Sequence, residues 1–178
     1  MSRFTLKPIS KYQDELAATF SESCIATNVA EYARRDQSDV NKIAYDIYNG
    51  KVAEYMVFNH LLKNGKSATP PDVMIYEKNE KSFDADITSG EIQIHVKSCQ
   101  ADTPFGHSWV FQPQDSLVSN PTENDFLALC VIGEESYMYL VKAMDMDFNT
   151  PIKSNLNKKV IYEDFVKTYT HMKKNKVI

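Results

Sequence analysis

The sequence is poor in the residues that break or staple a chain. Its 178 residues include only 5 glycines and 7 prolines, too few for a low-complexity linker or a largely disordered polypeptide. Cysteine is scarce as well: Cys24, Cys99 and Cys130 are odd in number and widely spaced. None has a neighbour at the short spacing of a zinc or redox motif, so reduced thiols are expected rather than a disulfide framework. Cys130 lies in the apolar run FLALCVI and is expected in a core. No apolar stretch approaches the roughly 20 residues that cross a bilayer, and residues 1–10 carry no signal-peptide pattern. A cytoplasmic protein with no membrane partner is the expectation. An excess of positive charge is missing too, since the formal net charge is −4. Bulk charge therefore neither points to a nucleic-acid partner nor excludes one whose cations are locally concentrated.

What is present reads as one globular domain spanning residues 1–178, with 43% hydrophobic and 25% charged residues. Residues 1–65 are mostly helical in pattern. Leu16, Ala17 and Phe20 recur at helical spacing in a broken helical stretch over residues 10–34, with Ser10 as its cap and Arg34 and Arg35 at its end. Ser38 or Asp39 caps a longer helix that runs to about Leu62, bent near Asn49-Gly50, with Gly65 as its stop. Glu54 sits on the margin of that helix's apolar face, three residues after Lys51, and the two can pair along the helix. Residues 70–142 hold the strand patterns: Val73–Tyr76, a hairpin over 82–98, Ser108–Gln112, Phe126–Ile132 and Tyr137–Val141. Residues 143–178 form a less regular C-terminal part, in which Ile161–Tyr169 suits a short amphipathic helix or an edge element. Helices first and strands afterwards imply α+β, or a three-layer α/β arrangement.

The hairpin, SFDADITSGEIQIHVKS, carries the chemistry. Successive strand side chains point to opposite faces, so Ile92, Ile94 and Val96 share one face. Gln93, His95 and Lys97 line the other, and across a turn at Thr88-Ser89-Gly90 they meet Asp84 and Asp86. Acids beside a lysine on one sheet face suit a divalent metal and a polarised water. The same residues on a solvated face make only surface ion pairs of small energy. Trp109 and Phe111 alternate with Val110, as core aromatics do; His60 and His171 read as packing or surface histidines, and His107, beside Gly106 in a loop near the hairpin end, is a minor candidate for a phosphate contact.

In the order GKVAEY, FDADI, IHVKS the chain resembles the PD-(D/E)XK, or restriction-endonuclease-like, nuclease superfamily. The resemblance covers about residues 50–112, and its motifs are short. It implies a central mixed sheet of about five strands flanked by helices, and metal-dependent hydrolysis of phosphodiester bonds in DNA, with RNA also open. Glu54 matches the helix acid, Asp86 the strand aspartate and Lys97 the catalytic lysine. His95 stands where the family has Asp or Glu. The implied metal ligands are Asp86, His95 and Glu54, with Mg²⁺ or Mn²⁺ as the ion. Imidazole favours transition metals over Mg²⁺, which leaves three readings of position 95. His95 coordinates and shifts the preference to Mn²⁺, or Asp84 or Gln93 supplies the missing ligand, or the site has lost catalysis and only binds nucleic acid or a protein. Gln112 is a secondary candidate for a nucleotide contact, and double-strand cutting by this family implies a homodimer.

Overall fold

In the computed structural model the described residues are 3–33, 39–75, 85–104, 106–150 and 157–175. Two long helices, α1 (Lys11–Ala33) and α2 (Val40–Lys63), follow a short strand β1 (Arg3–Thr5). Helix α1 is continuous where its sequence suggested a break, and Arg34 and Arg35 fall outside the described residues. Asp39 caps α2 by accepting from the Lys42 N–H at 3.0 Å, as an N-cap carboxylate does. Helix α2 runs unbroken through Asn49-Gly50, where the Asn49 side-chain amide donates to the Tyr45 carbonyl one turn back at 2.8 Å. At its far end Gly65 adopts φ +71°, and Lys66 N–H reaches back to Leu61 O at 3.0 Å, closing a Schellman-type cap.

The remaining elements are β2 (Ile87–Ser89), β3 (Ile92–Gln100), β4 (Ser108–Phe111), α3 (Ser116–Ser119), β5 (Asp125–Ile132), β6 (Tyr137–Lys142), a 3₁₀ turn (Ala143–Asp145), β7 (Lys159–Tyr162) and α4 (Glu163–Asn175). Five strands form a mixed sheet in the order β1-β6-β5-β3-β2, in which β3 and β5 run parallel and the other pairs antiparallel. Strands β4 and β7 form a separate antiparallel pair. The protein is therefore mixed α+β, with a five-stranded mixed sheet flanked by helices.

Alternation along β5 assigns the two faces. Ala128 and Cys130 pack with Leu6, Ala17, Val52, Val57, Ile87 and Ile94 under α1 and α2. Leu127, Leu129 and Val131 pack on the opposite side with Trp109, Phe111, Ile161 and Val166 from β4, β7 and α4. A strand buried on both faces must be apolar throughout, which is why FLALCVI shows no alternation. Trp109 is buried in this second layer and donates its indole N–H to the Cys130 carbonyl at 2.9 Å. None of the three cysteines is in a disulfide.

Several expectations shift. Val73–Ile75 is not a strand, and Tyr76 lies outside the described residues; Met74 is 64% exposed, so the β propensity of the segment is not matched by burial. The hairpin turn sits at Gly90-Glu91, two residues between the paired Ser89 and Ile92, with Gly90 at φ +63° as two-residue hairpin loops require. Tyr137–Val141 alternates in sequence, yet Tyr137, Met138, Tyr139 and Val141 are all buried between the two layers. Residues 161–169 divide between the end of β7 and the start of α4. Strand β1 has no counterpart in the sequence reading.

Candidate functional site

Glu54 lies on α2 beside the residues that pack against the sheet, Val52, Ala53, Met56 and Val57. Its side chain is 13% exposed and that of Lys51 is 9% exposed. One turn of helix brings the pair together: Lys51 Nζ donates to Glu54 Oε2 at 2.6 Å. The same ammonium donates to the Asp72 carbonyl at 2.7 Å and stands 4.5 Å from the centre of the Phe20 ring. In the Pro70-Pro71-Asp72 stretch Pro71 is buried, and Asp72 supplies its carbonyl to Lys51 midway along α2. Lys51 is thus fully engaged, and the pairing of Lys51 with Glu54 along the helix is present.

Asp86 occupies a bend one residue before β2. Continuing the Ile87–Ile94 pairing by one step sets Asp86 opposite His95. Its carboxylate accepts the Val96 N–H at 2.7 Å, taking the place a backbone carbonyl would hold had β2 started earlier. Asp86 therefore sits along the hydrogen-bonding edge of β3. Glu54 feels it. Burial first, and then the negative charge of Asp86, push the Glu54 carboxyl up to about 7 against the opposing pull of Lys51, with Asp72 adding a little.

His95 and Lys97 face away from α2. Ile94 and Val96 pack on the helical side, so the alternate residues point to the layer that holds Phe111. Lys97 Nζ stands 5.4 Å from the centre of the Phe111 ring, and among the described residues no carboxylate pairs with it. His95 Nε2 lies 3.2 Å from Asp125 Oδ1, with both side chains close to nine-tenths buried. Asp125 opens β5, and Thr122 clamps its other oxygen with its N–H at 2.7 Å and its hydroxyl at 2.8 Å. Burial alone would raise the Asp125 pKa, but Thr122 and His95 together hold it below the usual carboxylate value.

The structure thus divides the set drawn from the sequence. Glu54 and Asp86 are brought close, while Lys97 on β3 shares with His95 the face turned away from α2. His95 is directed to Asp125 on the other face of the sheet. Among the described residues, no group of three His, Cys, Asp or Glu side chains is placed to hold a metal ion. Asp84 lies outside the described residues. Gln93 is exposed at the start of β3, where its N–H bonds the Asn124 carbonyl at 2.9 Å. Gln112 accepts from Lys158 Nζ at 2.7 Å, at the end of β4. Asp125 and Thr122 escaped the sequence reading because they meet His95 only through the parallel β3–β5 pairing, 30 positions further on. Asp72 had a local signal, the Pro-Pro-Asp turn, but nothing in it indicated Lys51.

A second buried cluster lies beyond β4. Glu163, the first residue of α4, accepts from Tyr137 Oη at 2.7 Å and Tyr139 Oη at 2.9 Å through one oxygen. Its other oxygen meets His107 Nδ1 and Lys167 Nζ, each at 2.9 Å. Burial works against the charge, but these four partners hold the pKa down at about 2. His107 also places Nε2 3.1 Å from the Ala101 carbonyl, so it is a packing histidine within this network.

Among the described residues no helix is long and apolar enough to cross a membrane. Comparison with known proteins gives no relative to argue from: no family model, no curated protein and no solved structure matches the chain.

Proposed function

We propose that the chain is a metal-dependent endonuclease of restriction-endonuclease-like fold that hydrolyses phosphodiester bonds in DNA. The reading rests on one observation: a buried glutamate and an aspartate are set close enough that the charge of one raises the pKa of the other. Two such carboxylates are short of positive charge even with Lys51 present, and hard oxygen donors of this kind suit Mg²⁺ or Mn²⁺. Glu54 and Asp86 would hold the ion. When bound, it would neutralise charge on the phosphate and lower the pKa of a water. The element order helix acid, strand-end acid, strand lysine, on a mixed sheet flanked by helices, supports the same reading.

The chain's own residues contribute distinct parts. The Val96 N–H fixes the orientation of Asp86. Glu54, with its carboxyl pushed up to about 7, would release a proton on taking the ion, so that metal binding would strengthen as pH rises to neutrality. Lys97, on the sheet face turned away from α2, presents an ammonium with no carboxylate partner among the described residues, suited to meet a phosphate oxygen from that side. Cutting both strands of a duplex would call for a homodimer.

A catalytically silent module of the same fold, binding nucleic acid or a protein, is the second reading. The position of Lys51 favours it: an ammonium already bonded to Glu54 makes a built-in substitute for a metal. One assay separates the two. Plasmid, single-stranded DNA and RNA are incubated with Mg²⁺ or Mn²⁺ and wild type, Asp86→Asn or Lys97→Ala protein. The nuclease reading expects DNA cleavage that falls about 100-fold or more in each variant. Equal cleavage by all three proteins overturns the residue assignment. No cleavage with either ion, and no heat on Mn²⁺ titration, establishes the silent module instead.

A further inference from the structure

Asp125 has no role in the residue set above, yet it is the best-held carboxylate next to it. Its Oδ2 receives a backbone N–H and a hydroxyl from Thr122, and its Oδ1 faces His95 Nε2 at 3.2 Å. A backbone N–H can only donate, so the oxygen at Thr122 must remain an acceptor. An ionised carboxylate is also acceptor-only at its second oxygen, so the His95 nitrogen facing it carries the proton. That assigns the tautomer. Nδ1 is left with a lone pair, and no described residue makes a hydrogen bond to it.

We infer that Asp125 is a positioning residue: it holds His95 as the Nε2–H tautomer and leaves Nδ1 as the acceptor, on the sheet face that also carries Lys97. Carboxylates that bond one imidazole nitrogen commonly set the other as a ligand or base in this way. The inference deepens the proposed function, because it gives His95 a role on the sheet face opposite Glu54 without requiring Glu54, Asp86 and His95 to share one ion. It concerns the metal-free protein and is tested there.

The variant that tests it is Asp125→Asn. The Thr122 N–H still needs an acceptor, so the amide oxygen turns to Thr122 and the amide NH₂ turns to His95. Nε2 must then accept, and the proton moves to Nδ1. Long-range ¹H–¹⁵N correlation spectra of histidine-labelled full-length protein read this directly, at a pH about two units above the ordinary histidine value of ~6.5. The 4 histidines are assigned with His95→Gln as the reference. Wild type is expected as the Nε2–H form and Asp125→Asn as the Nδ1–H form. An Nδ1–H form in folded wild type overturns the inference without any variant. So does an Nε2–H form retained in Asp125→Asn. A tautomer that switches as expected in a protein that never cleaves DNA supports this inference while the nuclease reading fails. Cleavage by a wild type whose His95 is Nδ1–H does the reverse.

Discussion

Two largely buried glutamates, Glu54 and Glu163, with side chains 13% and 8% exposed, have opposite electrostatic fates. Glu163 has four side-chain donors and a pKa of about 2. Glu54 has one lysine, two aspartates in range and a pKa of about 7. A protein that buries a carboxylate for stability surrounds it with donors, as the tyrosines, His107 and Lys167 surround Glu163. Burial with too few donors has no such benefit. The contrast assigns Glu163 to the architecture, where it ties α4 to β4 and β6, and marks Glu54 as the candidate for chemistry.

The comparison breaks most visibly through stability. Glu163→Ala strands two tyrosines, a histidine and a lysine, and is expected to cost about 3 kcal/mol in urea unfolding at neutral pH. A loss under ~1 kcal/mol would show that the network around Glu163 is not structural.

Opposite pH dependences follow. The raised Glu54 pKa means the folded state binds a proton the unfolded state has lost. Its contribution is complete below about 4.5 and declines as pH rises towards about 7. Glu163 behaves inversely: its contribution is present above about 4.5 and is lost as pH falls towards about 2. Each window carries up to about 3 kcal/mol. Unfolding midpoints measured from acid to neutral pH should therefore lose the neutral-side decline in Glu54→Gln and the acid-side decline in Glu163→Gln. Identical profiles for the two variants would erase the distinction.

A smaller effect sharpens the hairpin. Gly90→Ala places a side chain at φ +63° and should cost about 1 kcal/mol by thermal unfolding. At the bottom of the scale, the exposed Lys42–Asp46 pair at 3.1 Å should be worth a few tenths of a kcal/mol in a double-mutant cycle, vanishing in high salt.

How far the sequence revealed all this depended on how local the cause was. Strand β5 was legible from FLALCVI because burial on both faces leaves its own signature. The α2 start was legible from Asp39 and its end from Gly65, each acting within one turn. Alternation correctly set Ile94 and Val96 against His95 and Lys97. It did not foresee that Asp86 precedes β2 and turns its carboxylate to an N–H of β3. The remaining omissions are pairings between distant segments: Asp125 with His95, Glu163 with Tyr137, and β1 with β6. A three-residue strand such as Arg3–Thr5 has no periodicity to detect, and exists because Tyr137–Tyr139 offers it a partner.

The brevity of the outer strands has a consequence for the protein's behaviour at high concentration. Both ends of the five-stranded sheet, β1 and β2, are three residues long, and short edges give another chain little to pair with. Strand β3 runs well past β2, and beyond that end its open Val96 N–H is covered by the carboxylate of Asp86. The charge that would serve a reaction also guards a seam against cross-chain pairing. Replacing it with an apolar residue would then invite aggregation at the same spot where it removes an acid.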